Sequence, residues 1–175
     1  MSWRNAALAP LALLAACATV QPPAEETWSE QLSGRLAVHV DAHGGAAART
    51  VNAGFDLRGD ARHGELLLST PLGTVLARAR WSPGEVMLKS PDGEKRFANL
   101  AALSEEVLGE PVPLEALFDW LHGRPWAGAP HRGTPDGGFE QLGWSVDLAR
   151  RSEGWILARR TEPPAVTVRA RLDTP

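Results

Sequence analysis

The stretch LLLSTPLGTVLARA, from Leu66 to Ala79, places Pro71, Leu72 and Gly73 between two apolar runs. Two such runs joined by a short turn are typical of antiparallel strands in a hairpin. Turn tips usually carry Asn, Asp, Ser or Gly, whereas the middle of this turn is a leucine. Pro71 restricts the backbone before the tip and Gly73 relaxes it afterwards. Leu72 therefore either folds under the hairpin into the core or projects toward an apolar partner outside the protein.

The alternation of apolar and polar side chains extends on both sides of this hairpin and is typical of strands buried on one face. Short turns rich in Gly, Pro and Asp separate the runs, so neighbouring strands are predicted to pair antiparallel. Residues 123–138 are too rich in Gly and Pro for regular structure, and we interpret them as a loop. The inward-facing sets are predicted to be Leu36, Val38 and Val40; Val51, Ala53, Phe55 and Leu57; Leu142, Trp144, Val146 and Leu148; and Val166, Val168, Ala170 and Leu172.

Two segments change to the period of a helix. The first is Leu100–Leu108, with Asn99 as a candidate N-cap and Gly109 just past its end. The second is Leu114–Leu121, whose apolar residues at i, i+3, i+4 and i+7 form one stripe, with Gly123 as the stop signal. The chain is therefore predicted to be mainly β: a curved antiparallel sheet, or half-open β-barrel, covered by two or three helices.

The N-terminus has the pattern of a secretory signal peptide: Arg4 gives a positive start, and residues 6–16 are almost wholly apolar. This run is shorter than the roughly 20 residues that a membrane-spanning helix needs. It ends in Leu14-Ala15-Ala16-Cys17, which resembles the lipobox of bacterial lipoproteins, where the cysteine thiol receives a diacylglyceryl group. That resemblance, with Ala18 rather than Asp next in the chain, implies an outer-membrane lipoprotein anchored by acylated Cys17. The alternative is a buried thiol after an ordinary signal peptide.

We therefore divide the chain into a lipoprotein signal peptide at residues 1–16, an acylated N-terminus and Pro-rich tether at residues 17–27, and one domain at residues 28–175. Without the signal peptide, 17 basic and 21 acidic groups leave a net charge of −4, which disfavours a nucleic-acid-binding function. Cys17 is the single cysteine, so the domain has no further thiol for a disulfide or a cysteine-based metal site.

The sequence carries no recognisable catalytic or metal-binding motif. It lacks a GxSxG nucleophile elbow and a Gly-rich phosphate loop that opens a helix. His39 and His43 are four residues apart, but they lie on a predicted strand and its loop and not on a helix, so this spacing does not bring both to one metal ion. The five histidines are His39, His43, His63, His122 and His131. We expect no enzymatic activity, no cofactor and no metal.

A curved sheet with an apolar concave face can hold an apolar ligand, because barrel mouths and lids are common places for such pockets. The same side chains could instead fill a compact core. Periodicity alone does not separate these alternatives.

Several segments together resemble the LolB family. They are the lipobox, SGRLAV at residues 33–38, LLLSTPLGT at residues 66–74, PVPLEALFDWLHGRP at residues 111–125 and FEQLGWSVDL at residues 139–148. The resemblance implies a half-open antiparallel β-barrel closed by helices, with a cavity for acyl chains. It also implies that the protein takes lipoproteins from the periplasmic carrier LolA and incorporates them into the outer membrane. The partners would be that carrier, lipoprotein acyl chains and outer-membrane phospholipid, and we expect a monomer.

The resemblance also assigns candidate residues. Pro71, Leu72 and Gly73 match the apolar loop that takes part in handing cargo to the membrane. The cavity candidates are Val38, Phe55, Leu57, Leu117, Phe118, Leu121, Trp144 and Val146. The alternative function is a lipidated structural or assembly protein that uses its sheet for protein docking without binding acyl chains.

Overall fold

The structure, a computed structural model, describes Trp28 and residues 30–173. The predicted signal peptide, the tether and Cys17 lie outside the described residues. The strands are β1 (Gln31–Val40), β2 (Arg49–Gly59), β3 (Gly64–Ser69), β4 (Val75–Ser82), β5 (Glu85–Ser90), β6 (Gly93–Phe97), β7 (His131–Gly133), β8 (Phe139–Gln141), β9 (Trp144–Asp147), β10 (Trp155–Arg160) and β11 (Val166–Leu172). The helices are α1 (Leu100–Leu108), α2 (Leu114–Leu121) and a short 3-10 turn at Arg151–Glu153.

In the described part of the chain, all the strands form one sheet in the order β6-β5-β4-β3-β2-β1-β11-β10-β9-β8-β7. Every neighbouring pair is antiparallel. The prediction of a mainly β fold covered by two or three helices is therefore confirmed, with two α-helices in the described residues. The sheet is open and does not close into a full barrel, because β6 and β7 are its two free edges.

The antiparallel order decides which loops lie together. The last residue of β1, Val40, pairs with the first residue of β2, Arg49, so the β1–β2 connection lies at that end of the sheet. Since neighbouring strands are antiparallel, the connections after β3, β5, β8 and β10 lie at the same end. We call this the turn end. The Leu72 turn lies there, between β3 and β4. Glu30, where the described chain enters β1, lies at the opposite end.

Side-chain alternation buries one face of this sheet. Val38 and Val40 on β1, and Phe55 and Leu57 on β2, are buried as predicted. The prediction for Leu142 is wrong, because this residue lies between β8 and β9 and is exposed. Its backbone φ is +54° and that of Gly143 is +76°, so the two residues form a tight hairpin turn and not part of the strand.

Both helices begin and end close to the predicted positions. Asn99 caps α1, since its side-chain oxygen accepts a hydrogen bond from the Ala102 N–H at 2.8 Å. Gly109 ends α1 with a φ of +81°. Residues 123–138 are mostly irregular as predicted, but His131–Gly133 pairs with β8 as a short edge strand. Three residues with one pairing partner carry too little alternation for a sequence pattern to reveal.

Helix α2 is buried on more than one side. Its predicted stripe packs inward, with Phe118 and Leu121 buried and Leu117 half-buried. Ala116 and Trp120 are also completely buried, although they lie off that stripe. The reason is that α2 packs within the concave face of the sheet and contacts clusters from both of its halves.

Candidate functional site

The Leu72 turn holds its leucine outward on a defined backbone. Thr70 C=O accepts the Gly73 N–H at 2.9 Å, and the Thr70 N–H donates to Thr74 C=O at 2.8 Å. The Thr74 N–H also donates to the Thr70 hydroxyl oxygen at 3.2 Å. Gly73 has a φ of +85°, which side chains with a Cβ rarely adopt. Leu72 is 95% exposed, so it projects from the protein and does not fold into the core.

Apolar exposure continues from this tip into β4. Val75 and Leu76 are also exposed, and both follow the turn directly. The pairing of β3 with β4 shifts register between Leu68 and Ser69, so the ladder is irregular beneath the tip. The hairpin therefore presents a small apolar surface at the turn end of the sheet, with Leu72 as its outermost point.

The predicted cavity residues all face the concave side of the sheet, where they divide between two packed clusters. Val38, Trp144 and Val146 belong to one cluster, and Leu117 packs against both. The other cluster contains Phe55, Leu57, Phe118 and Leu121. The structure thus brings the candidates together in two groups on one face, in contact with each other. Their role in binding acyl chains stays a prediction.

A third buried cluster, of Ala79, Val86, Leu100 and Leu103, lies between the β4–β5 side of the sheet and α1. The side chains that join the three clusters are only half-buried. Leu66 packs against the second and third clusters, Leu117 against the first and second, and Val107 against the first and third. We call Leu66, Leu68, Leu88, Val107 and Leu117 the apolar seam. Two short helices therefore leave part of the concave face incompletely covered.

A buried amide fixes α2 against the other half of the sheet. The Trp120 indole N–H donates to Gln141 Oε1 at 2.8 Å, and the Trp126 backbone N–H donates to the same oxygen at 2.9 Å. The Gln141 amide nitrogen in turn donates to the carbonyls of Trp126 and Ala129. The Trp120 ring also lies 5.8 Å from the Trp144 ring, centroid to centroid. All the hydrogen-bonding groups of the Gln141 side chain are therefore satisfied inside the protein.

The Trp120–Gln141 pair is not among the contacts predicted from the sequence, although the sequence carries one signal for it. Gln141 lies two residues after Phe139, so in a strand both side chains point to the same face, and Gln141 is next to the turn that leads to Trp144. A polar side chain on the buried face of a strand needs hydrogen-bond partners inside the protein. That position would have pointed to a nearby donor such as an indole.

An ion-pair cluster joins the start of β1 to the end of α2. The Arg124 guanidinium donates to both carboxylate oxygens of Glu30, at 2.9 and 2.7 Å. It also donates to Asp119 at 2.7 Å, and His122 Nε2 lies 3.5 Å from Glu30. The hydrogen bonds from Arg124 hold the pKa of Glu30 below its usual value, despite partial desolvation. This cluster fixes the C-terminal end of α2 near the point where the described chain begins.

In the described residues, no group of three or more His, Cys, Asp or Glu side chains is arranged to hold a metal ion. No described helix is long and apolar enough to cross a membrane. The arrangement that the structure does show is an exposed leucine turn beside an incompletely covered apolar face.

A family model described as "Outer membrane lipoprotein LolB" matches residues 27–170. The chain belongs to the LolB family. The outer-membrane lipoprotein LolB of Bordetella petrii is 38% identical over 174 residues, covering 92% of this chain and 85% of that protein. The protein of the same name from Bordetella pertussis is 36% identical over 166 residues, covering 87% of this chain and 82% of its own. The protein of that name from Chromobacterium violaceum is 32% identical over 148 residues, covering 81% of this chain and 79% of that protein. These matches confirm the predicted resemblance and the outer-membrane lipoprotein localisation.

Proposed function

We propose that the chain accepts lipoproteins from a LolA-like periplasmic carrier and incorporates them into the outer membrane. The observation that carries this proposal is the Leu72 turn, which presents a fully exposed leucine on a hydrogen-bonded backbone. A leucine side chain gains about 2 kcal/mol when it leaves water for an apolar environment. At the turn end of the sheet, that gain is available only through contact with something outside the described domain.

The acyl chains of the cargo would lie along the apolar seam. Its half-buried side chains pack against the three clusters, two of which contain Phe55, Phe118 and the other predicted cavity residues. Each methylene kept from water contributes about 0.8 kcal/mol, so the chains of a lipoprotein need an apolar surface throughout transfer. Transfer proceeds in one direction if this face binds acyl chains better than the carrier does and the bilayer binds them better still. No covalent bond is made or broken.

Cys17 would anchor the protein through its acyl chains, with residues 18–27 as the tether. Several acyl chains hold a protein on a membrane far more firmly than one does. A Cys17→Ala variant is expected in the soluble periplasmic fraction. Retention of that variant on the membranes after a wash that removes peripheral proteins would contradict the anchor assignment.

The central test replaces the exposed leucine. Leu72→Glu should leave the thermal midpoint unchanged, because the side chain makes no buried contact, and should still take a labelled lipoprotein from a loaded carrier. Incorporation of that lipoprotein into vesicles should fall at least about tenfold, since a carboxylate resists entering hydrocarbon. Pro83→Glu is the matched control: it adds the same charge to an exposed turn at the opposite end of the sheet.

Two results would contradict the proposal. If Leu72→Glu does not fold, Leu72 is a core residue and its transfer role is wrong. If the unmutated chain takes no acyl-bearing cargo from the carrier, the acceptor function is wrong, and the assembly alternative is favoured.

A further inference from the structure

The exposed large apolar side chains of the described residues share one end of the molecule. They are Leu72, Val75, Leu76 and Leu142. The first three belong to the β3–β4 hairpin, and Leu142 lies in the β8–β9 turn about seventy residues later. The strand order places both turns at the turn end. None of the four lies at the opposite end.

Leu142 is an unexpected residue for its position. A two-residue hairpin turn with positive φ at both positions favours Asn-Gly or Asp-Gly, because a Cβ clashes with the backbone there. Leu142 nevertheless adopts a φ of +54° and is 47% exposed. The side chain thus strains the backbone and gains only half of its possible burial. Folding stability does not explain a leucine at this tip.

The surface beside Leu142 is cationic. A groove of about 550 Å³ lies next to the turn and is lined by Arg132, Arg159, Glu140 and Trp144, among others. Neither guanidinium makes an ion pair or a side-chain hydrogen bond with any other described residue. Glu140 supplies one negative charge, so the two arginines leave the groove with a positive excess. An apolar tip beside unpaired guanidinium groups fits a phospholipid, whose phosphate lies directly above its acyl chains.

The spacing of the two tips favours a bilayer over a protein as the partner. From β3 to β9 there are five steps between neighbouring strands, or about 24 Å along the curve of the sheet. A stable protein interface needs a continuous surface of about 800 Å² on each partner. Two separate leucine tips do not supply such a surface. They can both touch a planar membrane.

The predicted tether is long enough for the turn end of the sheet to face the bilayer that holds the Cys17 anchor. The described chain enters β1 at the end opposite to the tips, and the ten residues of β1 span about 33 Å. Cys17 lies thirteen residues before Glu30, a distance that an extended chain can cover to about 45 Å at most. An anchor at Cys17 and the turn end of the sheet can therefore reach the same bilayer.

From this arrangement we propose that the Leu142 turn is a second bilayer-contact point. It acts together with the Leu72 turn, and Arg132 and Arg159 bind lipid phosphate groups beside it. This inference rests on the proposed function for its biological role. The contact itself is a separate property of the surface and has its own measurement.

The test uses the mature chain, residues 17–175, with Cys17→Ala to remove the anchor, and vesicles of phosphatidylethanolamine with phosphatidylglycerol. Leu142→Asn should be at least as stable as the parent, because Asn suits the turn, while vesicle binding falls about tenfold. Leu142→Met should largely retain binding. Pro83→Asn, in a turn at the opposite end, should leave it unchanged. The double variant Arg132→Gln, Arg159→Gln should weaken binding to these vesicles more than binding to vesicles of phosphatidylcholine alone, because choline offsets the phosphate charge there and glycerol does not.

Normal vesicle binding by Leu142→Asn would overturn the inference. If that variant binds vesicles normally but no longer accepts cargo from the carrier, the turn contacts the carrier protein and the assignment to lipid is wrong. The proposed function is tested separately by cargo uptake in the unmutated chain. The unmutated chain could take up no cargo while Leu142→Asn loses vesicle binding. These two results together would reject the acceptor role and support the bilayer contact.

Discussion

Replacing Gln141 by leucine should show how strongly the fold depends on one buried amide. In the parent, Gln141 Oε1 accepts the Trp120 indole N–H at 2.8 Å and the Trp126 backbone N–H at 2.9 Å. Its amide nitrogen donates to Trp126 C=O at 2.7 Å and Ala129 C=O at 2.8 Å. Leucine is similar in size to glutamine, so Gln141→Leu removes these four hydrogen bonds while largely keeping the packing volume.

The magnitude follows from the burial of each partner. Trp120 has 0% exposure, so its indole N–H would lose its acceptor where water does not reach. An unpaired buried donor costs about 1–3 kcal/mol. Trp126 and Ala129 are only half-buried, and water can replace part of what they lose. Together these terms predict a loss of about 3 kcal/mol in the free energy of unfolding, a large part of the stability of a domain of this size.

The assay is urea unfolding followed by tryptophan fluorescence. With a slope of about 2 kcal/mol per molar urea, the midpoint should fall by about 1.5 M at an unchanged slope. The control is Glu140→Leu, which introduces the same side chain at the exposed neighbouring position of β8 and should shift the midpoint little. A loss below about 1 kcal/mol in Gln141→Leu, with the slope unchanged, would contradict this prediction, because it would show that the buried indole finds another acceptor.

Two further predictions concern the attachment of the helices. Ser104 is buried and its hydroxyl accepts the Val112 N–H at 2.9 Å, so Ser104→Ala should destabilise the domain by about 1–3 kcal/mol, measured by the same urea titration; an unchanged midpoint would contradict this. The hydrogen bonds from Arg124 lower the pKa of Glu30, so the stability that this carboxylate contributes is present above its ordinary pKa of 4.5 and is lost as the pH falls through the lowered value. Glu30→Gln should therefore be less stable than the parent at neutral pH, and the difference should narrow toward about pH 3. A difference that stays constant with pH would show that ionisation of Glu30 is not its source.

The features that the sequence predicts correctly are those with local signals. Alternation identifies the buried faces of β1 and β2, and Asn99 and Gly109 mark the ends of α1 because capping depends on neighbouring residues. The turn around Pro71 and Gly73 also has a local signal, but that signal leaves open whether Leu72 folds under or projects, and the structure shows that it projects. These signals are local because a few consecutive residues determine each conformation.

The sequence predicts side-chain exposure poorly where contacts between distant segments determine it. Leu142 comes two residues before Trp144 and four before Val146, so alternation alone assigns it to their face of the sheet. The pairing of β8 with β9 places it instead in the turn between the two strands. Trp120 lies off the predicted stripe of α2, and its burial depends on Gln141 and Trp144, which come from the other half of the sheet. A period within one segment does not contain this information.

The contacts of the two helices differ in a way that bears on how acyl chains would reach the concave face. Helix α2 is held at its C-terminal end by Arg124 and along its buried side by the Trp120–Gln141 hydrogen bond. Helix α1 meets the sheet at β5 and β6 through apolar contacts and the exposed Lys95–Glu106 ion pair, and the Arg49 guanidinium of β2 donates to Val107 C=O at 3.3 Å on the surface. Exposed ion pairs contribute little to stability. In the described residues, moving α1 away from the sheet therefore breaks no buried polar contact with a strand, whereas moving α2 breaks the Trp120–Gln141 hydrogen bond. The buried Ser104–Val112 hydrogen bonds join α1 to the segment before α2 and not to the sheet.

Within the proposed function, cargo chains would consequently part α1 from the sheet along Leu66, Leu88 and Val107, while α2 stays in place as the floor of the site. Those side chains are already half-buried, so an acyl chain would cover apolar surface that water now reaches. This arrangement lets the domain keep its largest buried cluster intact whether or not cargo is bound. Binding would then be driven by the surface newly covered at the seam, close to the turn from which the cargo must leave for the membrane.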